Sequence, residues 1–235
     1  MEQERTVLRW GGLSGLLGGI IFVASIVYQV AFIGTGTTAP GSGPIMRFPG
    51  LQTQIIVGQT LFLVGTILLV PLFLALYRSL RGSNLAPALF GLGLGFLGLA
   101  VLAVESEPNV AMAQISAQYH AAGATAAQQA AAVIAWQAAQ GMFNEYDTCA
   151  YIFLSVGFLI LGLAMFRAPG FGRGYGGLTA AIGVVGLIGV AVTPVTSAIF
   201  AIPAALTFVV FPLLLGWKVY ALSSGQAPPA PTSAS

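Results

Sequence analysis

Of 235 residues, 57% are hydrophobic and only 6% are charged, where soluble domains carry about a quarter charged. With a mean hydropathy of +0.92, this composition excludes a soluble globular domain and marks an integral membrane protein. The net charge of +2 and pI near 8.9 do not imply a nucleic-acid partner, because the basic residues are scattered singly and form no patch.

A helix needs about 20 apolar residues to cross about 30 Å of hydrocarbon. Six runs qualify, near residues 12–34, 53–77, 84–104, 144–166, 176–194 and 198–221. They predict an all-α fold, a polytopic six-helix transmembrane bundle, with residues 1–222 forming a single membrane domain. The first run is too long for a signal peptide and has Glu2 and Glu4 beside its arginines, so it reads as an uncleaved span. Its Gly11, Gly15 and Gly19 recur at i, i+4, i+8 and make a smooth face for another helix of the chain. The second span contains Pro71, which tends to kink it. The third repeats the small-residue stripe with Gly91, Gly95 and Gly98.

Between the third and fourth spans lies an alanine-rich connection, residues 105–143, which predicts an extracytoplasmic helical hairpin. Pro108 suits a first helical position, and Met112, Ile115 and Tyr119 form an apolar stripe. Gly123 then offers a stop, and Thr125 with Gln128 reads as a capping box for a second helix carrying Val133, Trp136 and Phe143. Running unbroken from Ala126 to Phe166, that helix would be about 60 Å long, twice the hydrocarbon thickness. It must therefore bend near Gly141 or project well beyond the membrane. Trp136 suits the interfacial belt if the hairpin folds back onto the bilayer.

The fifth span carries Gly183, Gly186 and Gly189, and the sixth is interrupted by Pro203 and Pro212. Pro194, Thr196 and Ser197 read as the turn joining these two spans. The tail, residues 223–235, with Pro228, Pro229 and Pro231, reads as a disordered cytoplasmic end.

Basic residues orient the bundle. Arg5, Arg9, Arg78, Arg81, Arg167, Arg173 and Lys218 fall on one side of the predicted spans, and Arg47 alone falls opposite. Cytoplasmic loops retain Lys and Arg, so the chain is expected in the cell membrane as a multi-pass protein with both termini cytoplasmic.

The acids beyond the amino terminus, Glu105, Glu107, Glu145 and Asp147, gather at the outer ends of spans three and four. His120 is a further ligand type for a metal beside them, but it has no motif partner, and the expected reading is a solvated acidic rim with no metal. A sharper pattern descends span four, where Asn144, Asp147, Thr148, Tyr151 and Ser155 share one helix face. Polar groups in hydrocarbon must pair or meet water, so this face should turn into the bundle. With Gln29, Gln59 and Thr193 in the same outer half, it suggests an outward-open polar cavity. The alternative is that these groups only hydrogen-bond between helices. The candidate ligand-binding residues are Asp147, Tyr151, Thr148, Asn144, Glu145, Glu105, Gln29 and Gln59.

Catalytic signatures are missing: the chain has no phosphate loop, no zinc-protease motif and no serine placed with a His and Asp. No acid lies mid-span as a proton relay would require, Asp147 being the deepest at about one turn inside. A single histidine excludes a bis-histidine haem, leaving only a His120 and Met112 pair open. No cofactor is implied. Cys149 stands alone and cannot form an internal disulfide.

Three stretches, Pro71–Arg81 (PLFLALYRSLR), Tyr119–Ala139, and Gly162–Arg167 leading into a Phe/Gly/Arg turn, resemble a bacterial family of six-span membrane proteins, domain of unknown function 4386. The resemblance covers most of residues 5–222. It implies a six-helix fold and carries no assigned catalytic or binding residues. The expected function is a non-enzymatic binding or accessory component whose partners are the lipid bilayer and a small lipophilic ligand or another membrane protein. The competing expectation is a small-solute transporter or channel using the polar face of span four. Oligomeric state is not legible.

Overall fold

The computed structural model describes residues 2–32, 43–192 and 201–225, and every element among them is helical. In chain order these are α1 (Glu2–Phe32), α2 (Gly43–Leu80), α3 (Leu85–Val104), α4 (Ser106–Tyr119), α5 (Ala126–Phe166), α6 (Gly172–Val192), α7 (Ala201–Ala205) and α8 (Phe211–Ser223). A π turn, Leu206–Val210, joins the last two. Six stretches are long and apolar enough to cross a membrane: Glu2–Phe32, Phe48–Leu80, Leu85–Val104, Ala126–Phe166, Gly172–Val192 and Ile202–Ser223. The expected 194–197 turn, Thr193 and the tail beyond Gly225 lie outside the described residues, as do the side chains of Arg47 and Glu107.

Two groups of three helices make the membrane part. In one, α1 packs on α2 and α8; in the other, α5 packs on α3 and α6; contacts of α2 with α3 join them. Glycines set both crossings. A Cβ on Gly12 would lie 2.5 Å from the backbone nitrogen of Tyr220, and one on Gly162 would lie 2.5 Å from that of Ala180. Only hydrogen fits there, so the backbones touch and dispersion replaces the hydrophobic drive that lipid removes. The stripe Gly11, Gly15, Gly18 and Gly19 of α1 is buried against α2 and α8, as expected for packing within the chain. Between the two groups Phe73, Phe158 and Phe211 interlock, the last two stacked at 4.0 Å.

Two helices are longer than any bilayer needs. α5 is a single helix of 41 residues, about 60 Å at 1.5 Å per residue, so it projects beyond the hydrocarbon. α2 runs for 38 residues and begins ten residues before the apolar run at 53. The excess of both packs with α4 into a cap whose core is Ile45, Phe48, Met112, Ala132, Trp136 and Ala139. Trp136 is therefore not a lipid-interface anchor. It is 5% exposed and meets Phe48 edge-to-face at 5.1 Å. The hairpin turn contains Gly123 at φ +83°, and α5 starts on the expected capping box, Thr125 Oγ1 accepting from the Gln128 amide at 3.3 Å and Gln128 Oε1 from the Thr125 amide at 2.8 Å. His120 Nε2 donates to the Ile45 carbonyl at 3.1 Å, tying hairpin to α2.

At the opposite, terminal end, Arg78 of α2 pairs with Glu4 of α1 at 3.2 Å. Lys218 of α8 is 7% exposed and places its ammonium 5.1 Å from the centre of the Tyr175 ring.

Candidate functional site

The α3–α5 crossing has a heptad register. Gly91 meets Leu161 and Gly98 meets Leu154, so each step of seven residues up α3 is matched by seven down α5. The next step pairs Glu105 with Asp147. Two turns of small-against-large packing thus bring two carboxyls within electrostatic reach of each other where the membrane bundle meets the cap.

Glu105 is the one residue between α3 and α4, a turn position whose φ −56° and ψ −22° are still those of a right-handed helix. Its backbone N–H still donates to Val101 at 3.0 Å, completing α3, while its side chain turns in. It is 5% exposed, and its Oε2 has no hydrogen-bond partner. Burial, and next the charge of Asp147, push this carboxyl up to about 9 from an ordinary 4.5. Asp147 is half-buried. One turn further along α5, Tyr151 is 2% exposed and within electrostatic reach of both carboxyls. Its ring meets Phe208 edge-on at 5.5 Å.

Phe208 belongs to the π turn. Pro212 has no N–H and would clash with the carbonyl four residues back, so the helix widens, and Phe211 donates to Leu206 five residues earlier. The widening leaves Phe208 packed among Phe22, Phe62 and Tyr151. It also buries Thr207, whose Oγ1 has no hydrogen-bond partner. Ser155, one turn below Tyr151 on the same face of α5, is equally buried against Gly186 with its hydroxyl unpartnered.

The remaining candidates separate from this group. Thr148 is half-buried beside Asp147, but Asn144 and Glu145 are exposed, and Asn144 accepts from Gln140 at 3.4 Å. Gln29 donates to Ser25 Oγ at 3.1 Å, and Ser25 donates across to the Gly58 carbonyl at 3.0 Å. That is the interhelical role, closing the seam between α1 and α2. Gln59 is half-buried on α2. Met112 lies in the cap core and His120 Nε2 contacts the Ile45 carbonyl. Among the described residues no group of three or more His, Cys, Asp or Glu is placed to hold a metal. Sequence reasoning missed Thr207 and Phe208, because a π turn has no residue signature beyond the prolines around it. The heptads Gly91–Gly98–Glu105 and Asp147–Leu154–Leu161 were the legible signal for the carboxyl pair.

Fold and site together define a six-span helical membrane protein with a helical cap and, at their junction, a buried Glu105 beside a half-buried Asp147. The chain belongs to the family described as Domain of unknown function (DUF4386), whose model matches residues 13–225. No curated protein and no solved structure matches it.

Proposed function

We propose that this protein is a non-enzymatic, multi-pass component of the cell membrane that binds a small lipophilic ligand at the Glu105, Asp147 and Tyr151 site, with Thr148 at its edge. The observation that carries this reading is the Glu105 carboxyl, buried with an unpartnered oxygen. Leaving such a group unsatisfied costs several kcal/mol, and so marks a place kept for something other than stability. The lack of any catalytic motif supports binding over catalysis. Arg5, Arg9, Arg78, Arg81, Arg167, Arg173 and Lys218 support cytoplasmic termini, with the cap and the site outside.

Native mass spectrometry of the purified chain tests the binding. A small-molecule adduct should be retained by the wild type and lost from Asp147→Asn and Tyr151→Phe; an adduct equally retained by both variants would place the ligand elsewhere. Orientation is tested separately. A membrane-impermeant maleimide should reach Cys149, which is exposed on α5, from outside intact cells, and a cysteine introduced at Ser79 only after the inner face is opened. The reverse labelling would invert the topology. The π turn and the unpartnered hydroxyls of Ser155 and Thr207 favour a second reading, a small-solute transporter. Saturable solute uptake into liposomes holding the pure chain, altered by Asp147→Asn, would replace the first reading with this one.

A further inference from the structure

Glu105 is both a member of the carboxyl pair and the hinge between two helices. α3 ends at Val104 and α4 begins at Ser106, so Glu105 is the junction through which α3 passes into the cap helix α4, while α2 and α5 enter the cap as continuous helices. Its side chain is buried against α5 without a hydrogen-bond partner for Oε2. A buried carboxylate and a half-buried one within electrostatic reach repel each other, and one positive charge between them removes that repulsion. Among the described residues no Lys, Arg or His forms an ion pair with either; the one ion pair is Arg78 with Glu4 at the terminal end. Among the described residues, the titratable groups in electrostatic reach of the Glu105 carboxyl are Asp147 and Tyr151, both from α5. Tyr151 is neutral in the physiological range and supplies no charge.

We propose that Glu105 and Asp147 together bind one exchangeable proton, and that its loss releases the α3–α4 hinge from α5. With the proton in place the pair carries at most one negative charge, Glu105 stays buried and the hinge is held down. When hydroxide removes it as water, two carboxylates stand within electrostatic reach of each other, and Glu105, at the turn between α3 and α4, swings toward solvent. The raised value for Glu105 sets the range. The fold favours its neutral form, so this stabilisation is full below pH about 4.5, falls as pH rises, and is exhausted above about 9. The proton site goes beyond the proposed ligand binding and stands on the hinge geometry, whether or not a ligand occupies the same carboxyls.

The experiment uses the full chain in lipid nanodiscs. Asp147 is the single aspartate of the sequence, so biosynthetic ¹³Cγ-aspartate labelling gives one carboxyl NMR signal to follow from pH 4 to 10. In the wild type this signal should show two inflections, its own and a second where Glu105 loses its proton. Glu105→Gln should abolish the second, and Glu2→Gln, at the far end of the molecule, should leave both. Hydrogen exchange of α4 amides, corrected for the intrinsic pH dependence, should quicken at least tenfold through the second inflection in the wild type. It should be insensitive to pH in Glu105→Gln; in Asp147→Asn, which serves if the first variant fails to fold, the quickening should persist but move to lower pH, because burial still raises Glu105 while the neighbouring charge is gone. A single Asp147 inflection unmoved by Glu105→Gln would overturn the shared proton. Two inflections with constant α4 exchange would overturn the hinge release. An Asp147 signal displaced by replacing potassium chloride with sodium chloride would make the occupant a metal cation and overturn the proton. None of these readings depends on a ligand adduct, so failure of the binding proposal leaves this test intact.

Discussion

Replacing Trp136 with alanine should unfasten the cap while leaving the membrane bundle intact. The indole is 5% exposed and packs against Phe48 at 5.1 Å in a cluster of six buried residues. Truncating a buried aromatic to alanine costs about 3–5 kcal/mol through lost transfer energy and the cavity left behind. An edge-to-face pair of this kind contributes about 0.5–1.5 kcal/mol beyond burial. In so small a core the cavity cannot be refilled by neighbours. Taking about 3 kcal/mol as local, amides of α4 and the first half of α5 should exchange faster by about two orders of magnitude. Amides around Leu154, Phe158 and Leu161 belong to the separate membrane core and should be unchanged. Hydrogen exchange in nanodiscs reads both regions in one experiment. A companion chain keeping Trp136 alone, with Trp10→Phe and Trp217→Phe, should resist aqueous acrylamide quenching, since the two removed indoles are 67% and 59% exposed. Cap amides quickened less than about fivefold, under about 1 kcal/mol, would return Trp136 to an interfacial role and refute the cap core.

Three further outcomes follow from particular contacts. Thr125→Ala removes the capping box and should loosen the start of α5 by about 1 kcal/mol, seen as faster exchange of the Gln128 and Gln129 amides, while Thr125→Ser restores it. Gly162→Leu should abolish the folded fraction in detergent, measured by size-exclusion yield, because even a Cβ there meets the Ala180 backbone; Gly93→Ala, with nothing within 4 Å, should be tolerated. Pro212→Ala supplies an N–H where none existed and should let the π turn relax to α-helix, shifting Phe208 off Tyr151. Cross-linking of cysteines placed at Ile152 and Val209 should change in efficiency; unchanged cross-linking would mean the turn is held by packing and not by the proline.

Class and span count were legible because hydrocarbon admits few solutions. Every backbone polar group must be satisfied within its own segment, so apolar runs of sufficient length are helices. Glycine stripes also announced close helix approach, and Thr125 with Gln128 announced a helix start, because both signals are local. The polar face of α5 was legible by its spacing, and Asp147, Tyr151 and Ser155 do turn inward. Asn144 and Glu145 share that neighbourhood in sequence but are exposed.

What tertiary structure alone decided is where those faces go. Gln29 could have lined a cavity or joined two helices, and the Ser25–Gly58 contact on α2 settles it in the seam. The early start of α2 had no apolar signal, because its partners are the cap helices and not lipid. Glu105 and Asp147 stand 42 positions apart, and only the antiparallel register of α3 on α5, set by glycines at 91 and 98, makes them neighbours. Periodicity is a property of one helix, whereas the pairing of two faces depends on how closely their backbones approach, and that is fixed by the whole bundle at once.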